Sequence, residues 1–196
     1  MRYDAKITAG SLKVRESRII ADLLLRHASS EEWEEELFDK NILQTKSQKT
    51  TERLVQLLKP RLETMNDELW QLIKSGNREV AAHACLAAAI KHSALLGDFM
   101  DIVVREHYRL RTPALTKATW TRYVEDCHSR DAEMPDWSES TVDRLRSSVF
   151  QILAQAGYLE NTRNLKLQTA HISREVLRYL HDQNEVYVLR CIQVGL

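Results

Sequence analysis

Residues 150–168 read FQILAQAGYLENTRNLKLQ, and the rhythm of the apolar residues changes halfway along. Up to Gly157 they recur at helical spacing. From Tyr158 they alternate, with the polar patch Asn161-Thr162-Arg163-Asn164 in the gap. The pattern predicts a helix that begins at Ser138 or Ser140, runs to Ala156 and is closed by Gly157 at the C′ position, then a short hairpin. Upstream, Thr116 caps a helix to about Ser129, and a polar loop, 130–137, leads into the next one. Helix, loop, second helix and hairpin, in that order over about 116–169, describe a winged helix-turn-helix, in which the second helix lies in a DNA major groove and the hairpin touches flanking backbone.

The second helix has the side chains for that role. On a 100° wheel Val142, Leu145, Val149, Ile152, Leu153 and Ala156 share one side, while Arg144, Ser140, Ser147, Ser148 and Gln151 share the other without a carboxylate. Arg and Gln read guanine and adenine edges, and small serines let a helix sit deep. In the hairpin, Arg163 at the tip and Lys166 on the outer side reach phosphate. A plain solvated surface would have the same composition.

The N-terminal half repeats the logic without a wing, over about 30–59. Ser30 caps an acidic helix, Glu31 to Asp39; the NILQ turn follows, then a helix from Lys46 to Lys59, with Pro60 forcing a break or kink. Lys46, Lys49, Thr50 and Arg53 fall together on its first two turns, opposite Leu54, Val55, Leu58 and Leu62, with Leu57 an exception. Six carboxylates lie in 31–39, then five cations against two carboxylates in 46–63. The competing reading is that the acidic and basic helices simply pair with each other.

Outward from these two motifs, Leu12 to His27 reads as a helix, Asn66 or Asp67 opens a short one to Lys74, and Gly76-Asn77 is a stop and restart. The Ala-rich 81–89 stretch is read as the middle of the core, and a helix from Ser93 or Ala94 to Arg109 is loosened at Gly97. Thr112-Pro113 marks a boundary between an N-terminal helical domain, 1–112, and a C-terminal one, 113–196. Across it, Arg105, Arg109, Arg111, Lys117 and Arg122 face the single carboxylate Glu106, as a duplex tracking over both halves would require, or as a solvated helix side would equally show. Ser173 caps 174–182, and the tail VYVLRCIQV could be strand or helix. The fold class is therefore mainly all-α, with two helix-turn-helix motifs and the hairpin as a candidate wing.

The bulk numbers bound the function. A chain of 196 residues with 43% apolar and 29% charged residues, five Gly and three Pro reads as helix-rich and globular. Net charge is zero, so a basic whole cannot argue for nucleic acid and only the placement of charge does. No apolar run approaches the ~20 residues of a membrane span, and no export signal opens the chain, so a cytoplasmic protein without a membrane partner is expected. Cys85, Cys127 and Cys191 have no pairing spacing and suit reduced thiols. No phosphate loop, nucleophile elbow, HExxH or framed pair of carboxylates appears, so no catalytic residue, metal or cofactor is assigned. His83, His92, His107 and His171 are scattered, and Trp33, Trp70, Trp120 and Trp137 read as core anchors.

The opening TAGSLKVRESRIIADLLL, 8–25, together with NILQTKSQKTTERLVQLLKPRLE, 41–63, after Trp33, resembles the BrxA family of bacteriophage-exclusion (BREX) systems, and the similarity extends to ILAQAGYLE, 152–160. Gly10, Ser11 and Glu16 to Arg18 stand at the GS and ESR positions. The resemblance implies a small, helical, non-enzymatic component of a phage-defence operon, associated with double-stranded DNA and with other BREX components. The readings in play are a DNA-binding accessory protein, a helical RNA-binding factor of the antitermination type, and a protein-only scaffold; a monomer is expected.

Overall fold

The computed structural model describes residues 2–195. A short 3-10 turn, Lys6–Ala9, leads to α1 (Val14–Leu25), then α2 (Ser30–Glu34), which runs on as π-helical turns over Glu35–Asp39. Next come α3 (Gln48–Leu62), α4 (Asp67–Ser75), α5 (Arg78–His92) and α6 (Ala94–Asp98), the last continuing through π-helical turns, Phe99–Val104, into α7 (Arg105–Arg109). The chain then forms α8 (Lys117–Arg130), α9 (Glu139–Gln155), α10 (Arg174–Asp182) and α11 (Val186–Ile192). The fold is all-α.

The Ala-rich helix is the centre. Every residue of α5 from Val80 to Ile90 is buried, and α1, α3, α4, α6, α10 and α11 all pack against it. Small side chains on every side let so many helices approach one axis. The axis turns by 107° between α5 and the following helix, with Ser93 at the corner capping α6 through the Leu96 amide. No single helix among the described residues is long and apolar enough to cross a membrane. Helices α10 and α11, from beyond residue 112, pack back on α4 and α5, and one buried cluster runs through both halves.

Local signals set most helix ends. Ser47, Asn66, Asn77, Thr116 and Ser138 each accept an N-terminal amide of the helix they precede, and Gly157, at φ 82°, ends α9. Several differ from the sequence reading. The acidic helix is capped by Ser29 rather than Ser30, because Glu32 can return a bond to the Ser29 amide and complete a capping box. Pro60 does not end α3, which continues to Leu62. Helix α1 starts at Val14, since Lys13 is left-handed at φ 50°. Leu57, the exception on the polar side of α3, is buried because the 3-10 turn packs over that side. Gly97 is there for space: a Cβ would stand 2.3 Å from the Tyr187 hydroxyl. The undecided tail is helical, with Val188, Leu189, Cys191 and Ile192 buried. Of the four tryptophans only Trp120 is fully buried, within a cluster of Phe99, Tyr123 and Phe150; Trp33, Trp70 and Trp137 are half-buried.

The expected hairpin does not form regular strands. Among the described residues the only β pairing is two isolated bridges, Leu159–Leu167 and Ala114–Lys166. The turn folds on its own side chains: Asn161 Oδ1 accepts the Arg163 and Asn164 amides at 2.8 and 3.0 Å, which takes up the polarity of the tip locally.

Candidate nucleic-acid interface

Helix α3 divides two environments. On one flank Lys49 and Arg53 are exposed, with Lys46 just ahead of the helix in the turn and Thr50 in its first turn, its hydroxyl 2.9 Å from the capping Ser47. Arg53 shares a recess of about 420 Å³ with Lys6 and His92. Lys6 is held by Asp4 at 2.9 Å, and burial lowers the His92 pKa, so the ring stays neutral at neutral pH and adds no charge. Neither residue carries a signal in the linear sequence, since the fold alone brings the 3-10 turn and the end of α5 to α3. On the other flank lies the acidic helix, which packs on α3 and meets it at Trp33, under the Lys59 ammonium. No ion pair joins 31–39 to Lys46, Lys49 or Arg53 among the described residues; Lys40 instead holds Glu35 at 2.9 Å and Glu36 at 3.2 Å.

The connector is less cationic than its composition. Arg105 binds Asp101 Oδ1 through two nitrogens at 3.1 and 3.0 Å and also reaches the Arg190 carbonyl. Arg109 grips Glu106 at 2.7 and 2.6 Å, which lowers the Glu106 pKa. Arg111, Lys117 and Arg122 remain exposed and make no ion pair among the described residues. Arg122 opens on a recess of about 550 Å³ between α7 and α8 that also holds Glu106 and Asp126. The connector also meets the 158–168 loop: Leu115 donates to the Leu165 carbonyl at 3.0 Å and Leu167 to the Pro113 carbonyl at 2.9 Å. Lys166 thereby stands opposite Ala114, and both it and Arg163, at the tip of the same loop, are exposed.

Helix α9 is fixed to α8 by Trp120, whose indole donates to the Val142 carbonyl at 3.0 Å. Arg144, Ser147 and Gln151 are exposed, and Ser147 donates its hydroxyl to the Asp143 carbonyl at 2.8 Å. Ser148 does not belong to that face. It is 6% exposed, on a helix along which the N-terminal 3-10 turn packs.

The motif residues near the N-terminus are structural. Arg18 reaches the carbonyls of Lys74 and Gly76, both at 2.6 Å, and so ties α1 to the end of α4. Ser17 bonds the Leu12 carbonyl at 3.0 Å, and the Ser11 carbonyl accepts from the buried Arg61 at 3.2 Å. No group of three or more His, Cys, Asp or Glu is placed to hold a metal among the described residues. All three cysteines are free and buried, and burial pushes Cys85 and Cys127 up to about 11 and Cys191 to about 12.

A family model named BrxA matches residues 1–184. The chain belongs to the BrxA family. A BREX protein BrxA from Paramagnetospirillum magneticum is 46% identical over 195 residues, covering 100% of this chain and 98% of that protein. The BREX protein BrxA of Escherichia coli O9:H4 is 29% identical, over 93% of this chain and 87% of the relative. The crystal structure of an uncharacterized protein from Magnetospirillum magneticum matches with a TM-score of 0.91 at 44% identity, covering 99% of this chain and 100% of that one. BrxA proteins are components of BREX phage-defence systems, which places this chain among the components of such a system.

Proposed function

We propose that this BrxA family member is a non-enzymatic, monomeric, cytoplasmic protein that binds double-stranded DNA within its BREX system. Duplex phosphate would meet Lys46, Lys49, Thr50 and Arg53 at one end, and Arg111, Lys117, Arg122, Arg163 and Lys166 at the other, with Arg144, Ser147 and Gln151 offered to a groove. One observation carries the reading. Lys46, Lys49 and Arg53 follow six carboxylates in sequence, yet remain exposed without an ion pair to them. Their exposure on the flank away from the acidic helix leaves a cationic surface for an external anion. Arg105 and Arg109 contribute less than the others, since each already grips a carboxylate.

A salt-titrated duplex shift assay tests this. With about four phosphates neutralised, the logarithm of affinity falls against log salt with a slope of about −3 to −4. Lys46→Glu with Lys49→Glu weakens binding without changing the melting temperature, as both side chains are exposed. A flat salt response overturns the reading. So does preference for hairpin RNA over duplex DNA, since side chains do not read the narrow major groove of A-form RNA.

A further inference from the structure

On the acidic side of α3 an apolar groove of about 490 Å³ opens between that helix and the α2 segment. Its floor is Trp33, Leu37, Phe38 and Val55, three of them only half-buried. The groove is continuous with a second recess lined by Glu31, Glu35 and Asp39; Glu34, Phe38 and Glu52 line both. The carboxylates of Glu34, Asp39 and Glu52 make no ion pair or hydrogen bond among the described residues, although Lys40 stands close enough to hold Glu35 and Glu36. One cation already uses the groove: the Lys59 ammonium lies 4.4 Å from the centre of the Trp33 ring, its stem along the apolar wall.

We propose that this groove docks a basic amphipathic helix of a partner protein, its apolar side on Trp33, Phe38 and Val55 and its Lys or Arg side chains on Glu34, Asp39 and Glu52. Trp33, Phe38 and Val55 each leave part of their apolar surface open along the groove. An apolar stripe flanked by cations is the ligand that fits apolar floor and carboxylate rim together. Nucleic acid is repelled by the same rim, so this flank and the cationic flank of α3 take different partners, and neither binding event needs the other.

The test uses the full chain and a fluorescein-labelled synthetic helix of about 18 residues, built of Leu and Lys at amphipathic spacing, read by anisotropy. Saturable binding is expected, weakened about tenfold or more by Glu34→Lys with Glu52→Lys, and by replacing the peptide's Lys with Glu. Both protein substitutions are at exposed sites, and a circular dichroism melt confirms that the variant is folded. Binding should also change tryptophan emission, a change lost in Trp33→Phe. The proposal is overturned if the peptide fails to bind, if the charge-reversed protein binds it equally, or if Lys46→Glu with Lys49→Glu abolishes it. It is also overturned if the chain self-associates in sedimentation and the peptide dissociates it, because the occupant is then a second copy.

Discussion

Tyr3 donates its hydroxyl to Asp98 at 2.7 Å, both side chains buried and 95 residues apart in the chain. Tyr187 donates to the same carboxylate at 2.9 Å from near the other terminus, and Arg2 pairs with it at 2.7 Å. One carboxylate on α6 thus holds both ends of the chain against the core. Removing it leaves both hydroxyls, one buried and one half-buried, without this acceptor. Asp98→Ala should therefore lower stability by about 2–4 kcal/mol in urea unfolding, with the slope unchanged. A midpoint equal to that of the native protein would show that water replaces the carboxylate at no cost.

The same N-terminal segment is held a second time, by Asp131, which accepts the amides of Arg2 and Tyr3, the latter at 3.1 Å. Those bonds favour the charged carboxylate and hold its pKa below the ordinary 3.8. A depressed folded pKa means that the contribution is complete above 3.8 and is lost as pH falls through the lower, folded value. The difference in urea midpoint between the native protein and Asp131→Ala should be constant near neutrality and close on acidification below 3.8. A difference independent of pH would mean that the side chain acts by packing alone.

Arg61 stands 2% exposed on α3, its Nε without a partner, and burial pushes its pKa down to about 10. The guanidinium is still charged at neutral pH, and no carboxylate among the described residues pairs with it. Its visible return is one bond to the Ser11 carbonyl. Desolvating that charge costs more than one backbone bond returns, so Arg61→Met should be neutral or stabilising by about 1–2 kcal/mol, read as a higher melting temperature. A loss of similar size would assign the N-terminal Gly10-Ser11 turn to that single bond.

The helices were legible in the sequence because their ends and core faces are local. Thr116, Asn77 and Gly157 act on amides and carbonyls within a few residues, and the Ala-rich stretch declares a helix buried on all sides. The site was legible only in part, because exposure is not local. Ser148 lies 40° from Arg144 on a wheel, yet it is buried, on a helix along which the N-terminal 3-10 turn, more than 130 residues earlier, packs. Asp101 lies one helical turn before Arg105 and pairs with it, while also holding Arg190 at 2.9 Å, and counting charge only from Arg105 onward hides that pairing. The loop after Gly157 alternates like a strand, but its polar residues bond one another, and pairing stops at two bridges. Composition reports which charges a segment holds; tertiary contacts decide which of them solvent or a ligand can reach.

Two residues of α9 on opposite sides separate binding from folding. Arg144 is exposed, whereas Leu153 is fully buried. Truncating the leucine opens a cavity in a packed interior, so Leu153→Ala should cost about 2–5 kcal/mol of stability. Arg144→Ala, at an open position, should change stability by no more than about 0.5 kcal/mol. If Arg144 pairs with a guanine, the same substitution weakens a preferred duplex by about 1–3 kcal/mol and random DNA by less. Arg163→Ala with Lys166→Ala, at a loop placed for phosphate, should instead weaken all duplexes alike. Melting curves and shift assays on the same preparations give both answers. Equal loss on every duplex for Arg144→Ala would move that residue from base reading to phosphate contact, and a melting shift as large as that of Leu153→Ala would remove α9 from the DNA surface altogether.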